Sequence, residues 1–138
     1  MVPLAVLVML AVASPAWAAR QRIYSGTTSQ DHPISFTILR RDNGVQVFRG
    51  VSVEMELLCE DASTMSFGFA FFTFPGQRLD GRTLDFLERF GSEALHITGL
   101  FRWRDASGTF RYSMAVLDEN EEAMKCTTGD LTWTATRP

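Results

Sequence analysis

The segment VSVEMELLC, residues 51–59, decides the fold of this chain. Apolar side chains occupy every second position from Val51 through Met55 to Leu57, and a serine and two glutamates stand between them. A period of two places the apolar side chains on one face of an extended strand, because successive side chains point to opposite faces. The segment therefore predicts a half-buried β-strand that ends with Cys59 facing inward.

The same period recurs in four more segments, and turn residues separate them. The expected inward positions are Ile34, Phe36 and Ile38; Leu95, Ile97, Gly99, Phe101 and Trp103; Phe110, Tyr112, Met114 and Val116; and Leu131, Trp133 and Ala135. The turn sequences are DNG at 42–44, DG at 80–81 and DASG at 105–108. Short strands with frequent polar turns predict an all-β fold, a single-domain antiparallel β-sandwich or small meander barrel.

The segment RTLDFLERFGSEA, residues 82–94, fits two structures. Leu84, Leu87 and Glu88 have helical spacing, whereas Leu84 and Phe86 have strand spacing. Gly91 could end a single helical turn. We predict a strand, with a short helix as the alternative.

Residues 1–18 have the features of a secretory signal peptide. An apolar run from Leu4 to Ala13 is followed by Ser14-Pro15 and by the small residues of AWA, which predicts cleavage before Ala19. An uncleaved membrane anchor is the alternative, but a membrane-spanning helix needs about 20 apolar residues. We expect residues 19–138 to form one secreted β domain that resides in the periplasm or the cell envelope and does not insert stably into the membrane.

The charge and the cysteines limit the chemistry. The formal net charge of −3 gives no reason to expect nucleic acid as a partner. Two cysteines in an exported chain predict a disulfide between Cys59 and Cys126. Free thiols fit an oxidising compartment poorly, and neither cysteine has a second Cys or a His at the spacing of metal ligands. We therefore predict one disulfide, no metal and no cofactor.

The segment MSFGFAFFTF, residues 65–74, is apolar on both faces. Its first face, which includes Met65, belongs to the core, and its second face becomes apolar toward the end of the segment. A buried central strand is the favoured interpretation; a cavity wall for an apolar ligand and a patch for a partner are the alternatives. The candidate ligand or partner residues are Phe67, Phe69, Phe71, Phe72 and Phe74.

The stretch TTSQDHP, residues 27–33, contains the residue types of a hydrolase triad. Ser29, Asp31 and His32 are too close in sequence to converge as a triad does, and the chain has no G-x-S-x-G motif. We instead predict a polar turn in which Ser29 and Asp31 bond backbone amides before the next strand.

Glu54 and Glu56 are the best carboxylate pair for catalysis. They share a strand face about 6.5–7 Å apart, within the range that glycosidases use. The favoured interpretation is a solvated face with Arg102 and Arg104 as charge partners.

Two further polar features have structural interpretations. The sequence DENEE, residues 118–122, predicts a solvated turn, with cation binding as the alternative, although it lacks the spacing and glycine of an EF-hand loop. His96 lies on a polar strand face without a recognisable partner.

The chain resembles a group of small exported bacterial proteins that have a two-cysteine β domain and no known activity. The matching segments are YSGTTSQ at 24–30, PISF at 33–36, Cys59, FPG at 74–76, ITGLF at 97–101, SGT at 107–109, CTTG at 126–129 and WTA at 133–135. The resemblance implies an extracytoplasmic β domain and supplies no catalytic residue or ligand.

The predicted function is that of a secreted, non-catalytic binding or interaction module. A carrier of a small apolar ligand, in a cavity beside residues 65–74, is the alternative. A carbohydrate-active hydrolase that uses Glu54 and Glu56 comes third. The expected partner is thus a protein or a small apolar ligand.

Overall fold

A computed structural model describes residues 20–138, and the predicted signal peptide lies outside this range. Residues 20–138 form nine strands and no helix, which confirms the all-β prediction. The strands are β1 (Arg20–Thr28), β2 (Pro33–Arg40), β3 (Gln46–Cys59), β4 (Thr64–Arg78), β5 (Thr83–Phe90), β6 (Glu93–Phe101), β7 (Asp105–Leu117), β8 (Ala123–Thr127) and β9 (Leu131–Thr136). It follows that this range holds no helix able to cross a membrane.

The strands form one antiparallel sheet that closes on itself. Eight strands follow the order β4-β3-β2-β1-β9-β7-β6-β5, and β8 pairs with both β3 and β7. The pairing of β8 closes a ring through β3, β2, β1, β9 and β7. Outside this ring, β4 extends along β3, and the β5–β6 hairpin extends along β7.

The inward side chains of the predicted strands fill the ring. Phe36, Phe101 and Trp133 form an aromatic cluster at its centre, with ring centroids 4.3 Å apart for Phe36–Trp133 and 5.6 Å for Phe101–Trp133. The predicted inward positions are buried, except that Met114 and Val116 are partly buried and pack against the core. The prediction that Trp103 points inward is wrong. Its side chain is 55% exposed, because β6 ends at Phe101 and the chain turns there.

Residues 82–94 form a strand, a turn and the start of the next strand. β5 ends at Phe90, Gly91 follows with a φ of 61°, and β6 begins at Glu93. The strand prediction is therefore confirmed. Leu84 and Phe86 are buried whereas Leu87 is exposed, as the strand spacing requires.

Glycine marks two of the three predicted turns. Gly44 and Gly81 have φ values of 84° and 60°, the left-handed region that favours glycine. The turn expected at residues 105–108 is wrong, because these residues begin β7. The chain reverses at residues 102–104 instead, without a glycine.

The predicted disulfide joins Cys59 to Cys126. The two residues face each other directly in the pairing of β3 with β8. Cys126 lies in the short strand β8, which precedes the last strand β9. The disulfide therefore fastens the strand that closes the ring.

Candidate binding surfaces

Strand β4 lies at an end of the sheet. Among the described residues its backbone pairs with β3 alone, so the favoured interpretation of residues 65–74 as a buried central strand is wrong. From Thr64 to Gln77 the strand contains no charged residue. It thus has one free edge that carries none of the charges that usually protect such an edge.

The inner face of β4 packs against the core through aromatic rings. Phe67 and Phe69 lie 5.8 and 5.0 Å from Tyr112, measured between ring centroids. Phe71 lies 5.5 Å from Phe86, and Phe90 stacks at 6.0 Å from Phe71 and 6.5 Å from Phe69. All three β4 rings remain only half-buried. The expectation that this face joins the core is correct, although the face is not closed off from solvent.

The outer face of β4 exposes two aromatic rings. Phe72 is 72% exposed and Phe74 is 85% exposed. Residues 73–76 of β4 stand opposite Arg49 alone, because the pairing passes from Phe48↔Gln77 to Gly50↔Phe72. Phe74 lies within this bulge.

A surface groove of about 300 Å³ lies beside these rings, and Leu39 and Arg49 also line it. The guanidinium carbon of Arg49 is 5.0 Å from the centre of the Phe74 ring. Its Nε is buried and has no acceptor among the described residues. The groove thus combines apolar rings with a donor that lacks a partner.

The two candidate catalytic carboxylates lie on the open outer face of β3. Glu54 and Glu56 are both exposed, and the Glu56 carboxylate is 3.8 Å from Nε2 of His32. The expected ion pairs with Arg102 and Arg104 are wrong, because Arg102 pairs with Asp105 at 3.6 Å. Neither glutamate lies in the apolar surroundings that a general acid of a glycosidase requires.

The stretch TTSQDHP forms a turn that is bonded to two distant strands. Oγ of Ser29 accepts a hydrogen bond from the Thr132 amide at 3.1 Å, as predicted for a turn residue. The Gln30 side chain bonds both the N–H and the C=O of Glu56 at 2.9 Å, beyond the point where β2 stops pairing with β3. The expected bond from the Asp31 side chain to a backbone amide is absent among residues 20–138; Asp31 instead supplies a φ of 60°, and its own N–H donates a hydrogen bond to the Thr28 carbonyl at 2.9 Å. The residues of the apparent triad therefore have separate structural tasks.

The remaining polar features are also structural. His96 does have a partner, since its Nε2 lies 2.8 Å from Oδ1 of Asp85 on β5. Oδ1 of Asp118 accepts hydrogen bonds from the amides of Asn120 and Glu122, which makes residues 118–122 a tight turn. Between residues 20 and 138, no group of three or more His, Cys, Asp or Glu residues is arranged to hold a metal ion.

Sequence reasoning missed a cluster of arginines at one end of the ring. A cavity of about 260 Å³ lies there, lined by Arg22, Arg40, Gly44, Gln46, Gly81, Arg82, Phe101, Arg102 and Trp103. The guanidinium carbons of Arg22 and Arg137 lie 4.5 and 4.3 Å from the centre of the Trp103 ring, and that of Arg40 lies at 5.9 Å. One signal was present: Arg22 and Arg40 are in phase with the inward residues Tyr24 and Ile38.

The fold and these surfaces define a disulfide-bonded, all-β domain with two exposed aromatic rings on β4 and an arginine-lined cavity. Comparisons with models of known families, with curated proteins and with solved structures found no match.

Proposed function

We propose that this protein is an exported, non-catalytic binding module that adds an extended segment of a partner protein to the free edge of β4. The observation that carries this proposal is a strand of fifteen residues with one unpaired edge, within the described range, and no charge from Thr64 to Gln77. The disulfide is compatible with an oxidising compartment outside the cytoplasm.

The free edge of β4 is suited to backbone pairing. An unpaired strand presents a row of N–H and C=O groups to any extended chain that approaches it. Natural proteins block such an edge with charged residues, proline or a bulge. In β4, Pro75 and the bulge lie at residues 73–76, whereas residues 64–72 contain no charge, no proline and no bulge. An added strand would gain backbone hydrogen bonds from β4 and specificity from the side chains on its two faces.

The groove beside β4 determines the chemistry of the partner. An apolar side chain of the added strand would cover the exposed rings of Phe72 and Phe74. A carboxylate next to it would pair with the guanidinium group of Arg49, which has no carboxylate within 4.0 Å among residues 20–138. The β4 segment of a second copy offers no carboxylate, so we infer a partner segment that combines apolar and acidic residues.

A charge placed on β4 tests this proposal. Gly68→Glu adds a carboxylate at an exposed position where a new side chain meets no atom within 4 Å. Glu54 stands directly opposite on β3, so the like charges should lower the stability by up to about 1 kcal/mol while the domain remains folded. The control is Thr134→Glu on β9, which is exposed but paired on both edges. Peptides that the wild-type protein selects from a random library should combine apolar and acidic residues. Their affinity should fall about tenfold or more in Gly68→Glu and Arg49→Gln, and stay constant in the control.

Two results would contradict the proposal. One is a set of selected peptides that bind equally well to Gly68→Glu and to the wild type. The other is a concentration-dependent dimer in analytical ultracentrifugation that Gly68→Glu dissociates, because a second copy would then occupy the edge.

A carrier of a small apolar ligand is the second candidate. The half-buried rings of Phe67, Phe69, Phe71 and Phe90 favour it, since they form an apolar surface between β4 and β5. A carrier predicts that a fatty acid raises the Tm of the protein at micromolar concentration. An unchanged Tm would argue against it.

A further inference from the structure

The geometry points to an oxyanion-binding site at the arginine-lined end of the ring, for a small organic molecule that carries a phosphate or carboxylate group. This site is separate from the β4 edge, and the proposed function does not depend on it.

The alternation of inward and outward side chains along β1 and β2 places two arginines at the site. Arg22 follows the inward phase of Tyr24 on β1, and Arg40 follows that of Ile38 on β2. The side chains inside the ring are therefore apolar as far as Phe101, and arginines line the end of the ring beyond it. Arginines at inward positions of a strand require a reason, because charged side chains are otherwise placed on the outer face.

The positive charges of the site lack counter-charges. Across residues 20–138, no carboxylate lies within 4.0 Å of the guanidinium groups of Arg22, Arg40, Arg82 or Arg137. Of the arginines that line the cavity, Arg102 has a carboxylate partner, Asp105, at 3.6 Å. This accumulation occurs in a protein whose formal net charge is −3.

Burial and mutual repulsion act on the centre of the cluster. Burial lowers the pKa of Arg22 from its usual value, and the charges of Arg137 and Arg40 lower it further. An anion bound among these groups would relieve that repulsion. Guanidinium groups also match phosphate and carboxylate oxygens through paired hydrogen bonds.

A second observation indicates a ligand in the same cavity. Gln46 is only 9% exposed, it lines the cavity, and its Oε1 has no hydrogen-bond donor among the described residues. A buried amide without a partner is costly unless something else satisfies it. If the amide rotates toward the cavity, a hydroxyl or N–H group on the body of the ligand would do so.

The backbone holds the aromatic wall of the site in place. The Tyr24 hydroxyl donates a hydrogen bond to the Arg102 carbonyl at 2.7 Å, and the Arg137 amide donates one to the Arg104 carbonyl at 2.9 Å. Nε of Arg137 also donates to the carbonyl of Trp103. The turn that carries Trp103 is thus fixed beside the cavity, and its ring holds the guanidinium groups of Arg22 and Arg137 in place.

Titration with inorganic phosphate, citrate and neutral glycerol at constant ionic strength tests the site. The fluorescence of Trp103 is the reporter, because Trp133 is buried in the core and Trp17 belongs to the predicted signal peptide. We expect phosphate or citrate to change the emission and to raise the Tm, and glycerol at the same concentration to do neither. The relative affinities for phosphate and citrate show which oxyanion the site prefers.

Variants separate a binding site from a structural cluster. Arg22→Gln should weaken the preferred anion about tenfold or more, and Arg22→Lys should weaken it less. The control is Arg89→Gln, an exposed arginine on β5, which should bind as the wild type does. Without an anion, Arg22→Gln should match or exceed the wild type in Tm, because it removes like-charge repulsion.

The proposal is overturned if neither phosphate nor citrate changes Trp103 emission or the Tm. It is also overturned if Arg22→Gln and Arg89→Gln weaken binding equally, since the anion would then respond only to net charge. A fall in the Tm of anion-free Arg22→Gln, with unchanged anion affinity, would assign the cluster to packing around Trp103.

Discussion

Tyr112 is a buried residue whose hydroxyl group makes no hydrogen bond of good geometry among residues 20–138, although the Glu93 carboxylate lies near it. Its ring packs against Phe67 and Phe69 of β4. Burial raises the pKa of this phenol above its usual value of 10.0, and the Glu93 carboxylate raises it further. The folded protein therefore favours the neutral form of Tyr112.

This pKa predicts a loss of stability in alkali. In the unfolded chain Tyr112 ionises near its usual pKa, whereas in the folded protein it stays neutral to higher pH. Its contribution to stability is complete below pH 10.0 and is lost as the pH rises above that value. Urea unfolding of wild type and Tyr112→Phe at neutral and alkaline pH should show a smaller alkaline loss in the variant.

At neutral pH, Tyr112→Phe should be neutral or stabilise the protein by about 1 kcal/mol, because it removes an unpaired buried hydroxyl. A variant that loses stability at neutral pH would show that the hydroxyl has a partner after all.

At the scale of the elements, Gly108 is a position where the neighbouring strand comes too close for a side chain. It pairs with Gly99 of β6 on one side and with Trp133 of β9 on the other. A Cβ at Gly108 would lie 1.9 Å from the Thr98 carbonyl oxygen, and one at Gly99 would lie 2.7 Å from the Trp133 ring. The two glycines thus leave room for strand β6 and for the Trp133 indole.

Gly108→Ala should therefore lower the free energy of unfolding by about 1–3 kcal/mol or more, as overpacked sites do. Gly68→Ala on β4 is the matched control, since its new methyl group meets no atom within 4 Å. Chemical denaturation of both variants measures the difference. Equal stability of the two variants would mean that β6 and β7 can move apart to admit the methyl group without a loss in the free energy of unfolding.

Strand β4 shows how an element can have a pattern that suits another position. Apolar residues on both faces are typical of a central strand, yet β4 lies at an end of the sheet. Its inner rings complete the core, and its outer rings Phe72 and Phe74 are exposed. The sequence pattern correctly predicted that β4 has apolar residues on both faces. The position of β4 in the sheet, however, depends on the path of the whole chain.

At the scale of the whole molecule, closure of the ring depends on the short strand β8. It joins β3 through two residue pairs, one of which is the disulfide-bonded pair Cys59↔Cys126. The bond spans a sequence separation of 67 residues. A crosslink over a loop of this size restricts the unfolded chain strongly.

Replacing both cysteines by alanine should lower the free energy of unfolding by about 4 kcal/mol, the value that the chain-entropy model gives for such a loop. Urea unfolding with and without dithiothreitol measures it. The reductant should destabilise the wild type by a similar amount and leave the double variant unchanged. A double variant as stable as the wild type would show that backbone pairing alone closes the ring.

The sequence by itself determined the β class, the inward face of most strands and the disulfide, because these follow from a local period of two and from the cysteine count. The tertiary structure alone decided which strand lies at an end of the sheet, that Gly108 serves close packing, and that the arginines of β1 and β2 meet Trp103. Those features depend on contacts between residues far apart in the chain, which no local pattern encodes. Arg22 and Arg40 were visible as charges at inward positions, but only closure of the ring brings them to one cavity.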